Sequence, residues 1–307
     1  MERWHTFPQY CRETFGKKLY KVPLDAHMTC PNRDGTKGTG GCIFCSGRGS
    51  GEFAVSYDGQ KLSREDLVFN HTDAPEGSYI AYFQSFTNTY APVQRLEQLY
   101  RPCLEDPLFA GISVATRPDC LPEETVRLLR DLRKQYPDKF IWAELGLQTI
   151  HEKSALWMNR CYSLAVFDES VKHLQDAGID VIAHVIIGIP GETEEDLLAT
   201  IAHLNALGIS GIKMHLLHYL SDSRLGVQLK EDPDAYHILS MEEYVSLVCA
   251  CIGHLDPDIV IHRLTGDGDR NTLLAPLWAN DKRRVINSIR HELKVRDITQ
   301  GSMIGYE

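Results

Sequence analysis

From about residue 78 onward the chain alternates short apolar runs rich in β-branched and aromatic residues with longer amphipathic runs, and this alternation restricts the fold more than any other feature. The strand candidates are Ser78 to Gln84, Gly111 to Thr116, Phe140 to Gln148, Ile179 to Gly188, Gly211 to Leu217 and Ile259 to Leu264. Helices are predicted between them over 93–105, 122–135, 163–177, 193–207 and 240–255. The fourth is well marked: Pro190 and Gly191 break the strand, Thr193 caps with Asp196 three residues on, and Gly208 ends it. Strands separated by one helix run parallel, because the crossover returns the chain to the same sheet edge. A further strand, Lys18 to Leu24, precedes the repeat, which makes seven, slightly short of a closed barrel of about eight. The expectation is therefore an α/β chain forming a partial (β/α)6 TIM-like barrel over residues 18–264, with an N-terminal extension at 1–17 and a basic C-terminal extension at 265–307 packed on the barrel.

Parallel βα folds keep their reactive groups at the C-terminal ends of the strands. Directly after the first strand come His27, Met28, Thr29 and Cys30, and then, beyond a spacer of eleven residues, Cys42, Ile43, Phe44 and Cys45. The spacer contains Gly35, Gly38, Gly40 and Gly41 and can fold back to bring the cysteines together. Two metals compete for these thiols. A structural zinc wants four ligands, and His27 would complete a Cys3His set. A cubane iron–sulfur cluster on three thiolates leaves one iron open to bind and reduce a ligand. The other cysteines, Cys11, Cys103, Cys120, Cys161, Cys249 and Cys251, lack ligand spacing and read as small apolar residues.

Nine cysteines in a chain of 307 residues is an odd number in a chain too long to need disulfide staples, so a reducing, cytoplasmic setting is expected. No apolar run approaches the roughly 18 residues of a membrane helix, and the N-terminus, with Arg3, His5 and Arg12, has no apolar signal core. The formal charge of −10 is unevenly spread: residues 1–50 hold 8 basic and 4 acidic side chains, 51–258 hold 16 and 32, and 259–307 hold 8 and 6. Both ends are positive and the middle is strongly negative. Over 281–296, Val285, Ile286, Ile289 and Leu293 share one helical face, with Arg283, Arg290 and Lys294 away from it. The plain reading is a solvated surface; with the basic first fifty residues it also suits phosphate.

The cysteine loop, with an aromatic before its last cysteine, resembles that of the radical S-adenosylmethionine superfamily. Its long first spacer departs from the commonest form and is similar to the loop of the Elongator catalytic subunit. Further stretches carry the resemblance: Tyr82 through Pro92, Ala115-Thr116-Arg117-Pro118-Asp119, Glu144-Leu145-Gly146-Leu147-Gln148-Thr149, His184 through Glu192, and His262 through Gly268. They are similar to a bacterial subfamily of short proteins, the YhcC/YtqA or MnmL-like type. The resemblance implies a 4Fe–4S cluster on Cys30, Cys42 and Cys45, S-adenosylmethionine on its open iron, and a 5′-deoxyadenosyl radical that abstracts hydrogen while the protein orients partners and excludes water.

The resemblance also implies roles. Phe44 would pack on adenine; Gln84 and Ser85 stand where relatives hold the cofactor's amino group, although the usual Gly-Gly-Glu-like turn is absent. Gln148 and Arg160 match positions that bind the methionine carboxylate, for which an arginine fork is suited. Thr116 and Ile187 fall within the shared stretches, and Gly188-Ile189-Pro190-Gly191 looks like the adenine-binding backbone. From the residues alone, Glu144 should face the barrel lumen, since an unpaired buried charge is costly. His184 is a candidate for a ribose contact or a satisfied core histidine. Phe44 and Arg160 equally suit a core aromatic and a surface ion pair. Asn88, Lys213, His215, His218, Tyr219, Arg263 and Asp267 lie at strand ends and are candidates for substrate contact.

In the family resembled, the substrate is transfer RNA at the C5 side chain of the wobble uridine in the anticodon stem-loop, with a flavodoxin or ferredoxin as electron donor. The implied reaction removes the carboxymethyl group of 5-carboxymethylaminomethyluridine to leave 5-aminomethyluridine, by hydrogen abstraction, oxidation to an imine and hydrolysis to glyoxylate. A flipped base is required to reach a barrel interior. Two other readings stay open: a radical enzyme of a small metabolite or tetrapyrrole, and a non-catalytic zinc-stabilised RNA-binding protein.

Overall fold

The computed structural model describes residues 2–49, 54–63, 74–266 and 270–305. Helix α1 (Phe7–Phe15) leads into β1 (Tyr20–Asp25), and a long loop carrying the short β2 (Val55–Ser56) leads to β3 (Tyr79–Gln84). There follow α2 (Val93–Glu105), β4 (Phe109–Thr116), α3 (Glu123–Gln135), β5 (Phe140–Gln148), α4 (Glu152–Trp157), α5 (Leu164–Asp176), β6 (Asp180–Ile187), α6 (Glu194–Leu207) and β7 (Gly211–Leu216). The chain closes with β8 (Tyr219–Leu220), α7 (Arg224–Glu231), α8 (Met241–His254), β9 (Val260–Arg263), β10 (Leu273–Ala275) and α9 (Lys282–Val295). The expected capping box at Thr193 and Asp196 is present, and Gly208 ends α6 in the left-handed conformation.

All neighbours in the main sheet are parallel, in the order β2-β1-β3-β4-β5-β6-β7-β9. Seven strands were expected; the eighth, β2, is two residues long and adds beyond β1, through Leu24 opposite Val55. It was illegible because two residues carry no periodicity. Among the described residues β2 and β9 are the edges of an open, partial barrel.

The strand alternation builds two environments. Outward residues such as Phe83, Val114, Leu145, Val185 and Met214 pack under the helices in the main core. Inward residues line the lumen in layers. At the bottom, Ile80, Trp142 and Ile182 join Cys11, Leu19 and Phe140, with Phe7, Tyr10 and Phe15 of α1 packed on them. Phe140 stacks on Trp142 with ring centroids 4.0 Å apart, and Phe7 meets Trp142 edge-on at 6.1 Å. The N-terminal extension therefore plugs the barrel bottom, held also by Ile261 N–H donating to the His5 carbonyl at 2.9 Å.

Helix α9 buries Val285, Ile289 and Leu293 in the main core. One part of its basic face is used internally: Arg290 donates to Glu2 at 2.8 Å and lies over the Trp4 ring. No described helix is long and apolar enough to cross a membrane.

Because Phe7 is partly buried, Phe7→Ala should cost roughly 2–3 kcal/mol, somewhat below the range for a fully buried ring. Its urea midpoint should fall with an unchanged slope; an unaltered midpoint would mean that α1 does not plug the barrel.

Candidate active site at the C-terminal ends of the strands

The loop after β1 folds as its glycines allow. Gly40 and Gly41 take φ of 77° and 73°, and a Cβ on Gly38 would stand 2.2 Å from Asn32 Oδ1. Asn32 is the loop's organiser: its Nδ2 donates to the Asn159 carbonyl at 2.6 Å and to Cys42 Sγ at 3.7 Å, and its Oδ1 accepts from the Cys161 thiol at 3.2 Å. Asn159 Nδ2 returns a bond to the Gly41 carbonyl at 2.8 Å. Ile43 is buried with Met158, Ile186, Leu217 and Leu225, which fixes the loop over the barrel mouth.

That mouth is a cavity of about 360 Å³, within the range usual for small-molecule sites. Cys30, Cys42, Phe44 and Cys45 line it together with Gln84, Ser85, Thr116, Gln148, His184, His215, His218 and Arg263. Eleven of the expected site residues converge there in addition to Glu144 and the cysteines' neighbour Phe44. None of the three cysteines forms a disulfide. Burial, with the nearby Cys45 and Cys30, pushes the Cys42 thiol up to about 12. His27 does not join them: its Nε2 pairs with Ser56 Oγ at 2.9 Å, toward β2. Among the described residues no three His, Cys, Asp or Glu side chains converge on a single-ion position.

The lumen beneath is ionic. Glu144, 1% exposed, accepts at Oε1 from Lys21 at 2.7 Å and Ser113 at 2.6 Å, and at Oε2 from Lys213 and from His184 at 2.8 Å. Four partners use the four acceptor directions of a carboxylate. Lys213 also donates to Tyr82 Oη at 3.1 Å and lies over its ring. Burial opposes ionisation of Glu144, yet the Lys21 and Lys213 charges and the His184 hydrogen bond hold its carboxyl well below the ordinary range. Burial, reinforced by the Lys213 charge, pulls His184 down to about 4 despite Glu144. It is a neutral imidazole at pH 7, donating through Nε2.

Several expected contacts are placed elsewhere. Arg160 turns into the protein and donates to the Leu147, Thr149 and Tyr162 carbonyls at 2.7–3.0 Å, satisfying a chain reversal in place of a ligand carboxylate. Asn88 is sealed, donating to the Ser85 and Ala115 carbonyls at 3.2 and 2.9 Å. Lys213 is spent on Glu144, and Tyr219 is buried against Tyr236. Ile187 belongs to the core under the helices, and Gly188 to Gly191 border a separate depression. Asp267 lies outside the described residues.

Sequence reasoning missed Arg117 and Tyr162. Arg117 lines the cavity, forks onto Asp119 with two bonds of 2.9 Å and lies over the Tyr162 ring. Tyr162 donates to the Gly146 carbonyl at 2.5 Å. Arg117 stands within a stretch already singled out, so its position after β4 was a usable signal; nothing local marks Tyr162.

Comparison with known proteins agrees with this geometry. The model of the radical S-adenosylmethionine superfamily matches residues 34–204, and that of the radical S-adenosylmethionine C-terminal domain matches 209–295. The chain is 40% identical over 302 residues to the uncharacterized protein YtqA of Bacillus subtilis strain 168, covering 98% of this chain and 92% of that protein. It is 32% identical over 293 residues to protein YhcC of Escherichia coli K12, covering 95% and 92%. A solved structure of the archaeal Methanocaldococcus infernus Elp3 superposes with a TM-score of 0.66 at 13% identity, covering 92% of this chain and 65% of that one. The chain belongs to the radical S-adenosylmethionine superfamily, whose members use a 4Fe–4S cluster and S-adenosylmethionine.

The buried neutral imidazole gives a pH test. Between pH 6.5 and about 4 the unfolded chain protonates His184 while the native chain does not, so stability rises with pH across that window and is lost on acidification. His215 and His262, shifted downward by burial, add in the same direction. The urea midpoint should fall from pH 6.5 to 4, and His184→Gln should flatten part of that fall; an equally steep profile in the variant would refute the assignment.

Proposed function

We propose that this chain is a radical S-adenosylmethionine enzyme that modifies transfer RNA, converting the wobble 5-carboxymethylaminomethyluridine to 5-aminomethyluridine. The observation that carries the class is the convergence of Cys30, Cys42 and Cys45 on one cavity also lined by buried hydroxyls with no partner among the described residues, Ser85 Oγ and Thr87 Oγ1. Zinc would require ligands gathered on one ion, and His27 is turned away. A cubane takes each thiolate on a different iron, so three thiols that neighbour one another without meeting at one ion position fit it.

When bound, the cluster and S-adenosylmethionine supply a 5′-deoxyadenosyl radical. The chain's residues bind and orient. Phe44 offers a face to adenine; Gln84 and the unpartnered Ser85 Oγ and Thr87 Oγ1 offer acceptors to the cofactor's ammonium. Gln148 and Arg117, both on the cavity wall, take the carboxylate in place of the inward-turned Arg160. Thr116 shapes the wall, its hydroxyl already 2.5 Å from that of Thr89. His184, fixed by Glu144, presents its second ring face toward the ribose. Ile186 and Leu217 exclude water. Transfer RNA as substrate rests on the shared sequence stretches and the positive chain ends, with a flavodoxin or ferredoxin as reductant.

The test is anaerobic turnover of the reconstituted protein with S-adenosylmethionine, reductant and transfer RNA carrying the carboxymethylaminomethyl group. The expected products are 5′-deoxyadenosine, glyoxylate and the free amine, and Cys30→Ala, Cys42→Ala or Cys45→Ala should each abolish all three. Formation of 5′-deoxyadenosine with an unchanged nucleoside would retain the class and reject the substrate; zinc in place of iron would reject both.

A further inference from the structure

The cavity floor carries more positive charge than its carboxylate offsets. Glu144 is the only acidic residue among the described residues lining the cavity, and its four acceptor directions are occupied. Arg263, at the end of β9, lines the same space, and its charge reaches Tyr82, Lys213 and His215. His215, on β7, keeps Nε2 buried without a hydrogen-bond partner among the described residues. Lys21 offsets Glu144 and burial pushes Lys213 well down from its ordinary value, which leaves Arg263 without a carboxylate to meet it among the described residues. A half-buried guanidinium facing a cavity with no carboxylate to meet it favours an anion there, and an orphaned buried ring nitrogen is costly unless a ligand satisfies it.

We infer that Arg263 and His215 form a subsite for a carboxylate of the substrate. The inference rests on reading the cavity as the chamber for S-adenosylmethionine and substrate, and it fixes the substrate class as a side chain ending in an acid group. A guanidinium fork gives a carboxylate two parallel bonds, and the His215 ring supplies a third donor. Placement favours substrate over cofactor. The cysteines follow β1 and the unpartnered hydroxyls follow β3, whereas His215 and Arg263 belong to β7 and β9, at the other end of the strand order. The cofactor's own carboxylate has Arg117 and Gln148, after β4 and β5, nearer the cysteine side of that order.

The experiment uses the reconstituted full chain saturated with S-adenosylmethionine and without reductant, titrated by calorimetry with N-benzylglycine and with its neutral amide. Wild type should prefer the acid about tenfold or more. Arg263→Gln should bring acid and amide to near parity, Arg263→Lys should keep part of the preference, and His215→Gln should weaken acid binding several-fold. S-adenosylmethionine retention should be unchanged in all three, with melting temperatures reporting that they fold. If Arg263→Gln is unstable, Arg263→Lys and His215→Gln carry the test. Equal binding of acid and amide by wild type overturns the inference. So does loss of S-adenosylmethionine retention alongside loss of acid binding, which would assign the subsite to the cofactor. Failure of the class reading is separate, since it is read from 5′-deoxyadenosine formation in wild type.

Discussion

A single buried carboxylate organises the barrel interior. Glu144 ties Lys21 of β1, Ser113 of β4, His184 of β6 and Lys213 of β7 to β5, so one side chain links five of the parallel strands across the lumen. Such a cluster is not a source of stability compared with an apolar filling, because desolvating the ions costs about as much as their attraction returns. Its value is geometric. An apolar lumen would slide among rotamers, whereas four bonds to two oxygens fix where the lysines stand and which ring nitrogen His184 turns toward the carboxylate.

Above that layer the backbone is strained where the cavity begins. Ser85, Phe86 and Gln148 have φ of 80°, 56° and 65°, left-handed values that side chains with a Cβ rarely adopt. Each sits directly at or after the C-terminal end of a strand, and all three line the cavity. The parallel hydrogen bonding of β3 and β5 holds the preceding residues, and the turn that follows must swing a polar side chain over the mouth. Residues in such conformations cluster at functional sites because the surrounding structure over-determines them. Asn159 and Cys161, at φ of 55° and 63°, play the same part under the cysteine loop.

The regular part of the barrel was legible in the sequence because each strand and helix carries its own periodicity. The span Phe140–Gln148 is a strand with an apolar outer face and an inner face that runs from Phe140 and Trp142 to Glu144 and Gln148, and Glu144 facing the lumen follows from the cost of burying it unpaired. What was not legible depends on contacts remote in sequence. Phe7–Phe15 shows no strong local reason to plug a barrel; the reason is Trp142. Arg160 and Arg117 are chemically alike, and only the carbonyls of Leu147 and Thr149 decide that the first turns inward while the second stays on the cavity wall. Lys213 reads as a strand-end contact until its bond to Glu144, 69 residues away, is seen.

Charge has the same local character. The chain is net negative by ten, yet the cavity presents Arg33 and Arg263 besides the Arg117–Asp119 pair, with Glu144 its one lining carboxylate among the described residues. Screening at physiological salt limits an exposed charge to about 8 Å, so the acidic middle of the sequence does not set the potential at the mouth. The same principle narrows the C-terminal helix as a phosphate surface: Arg290 is neutralised by Glu2 and Arg296 by Glu292, while the exposed Arg283, Arg284 and Lys294 stay clear of any carboxylate among the described residues. An RNA substrate would therefore be drawn chiefly by the basic loop around the cysteines, where Arg33 is already held over Phe86 at the cavity edge, and the helix would serve as a secondary contact. On the proposed reading attraction and chemistry then share one surface, as a base lifted out of its stack would require.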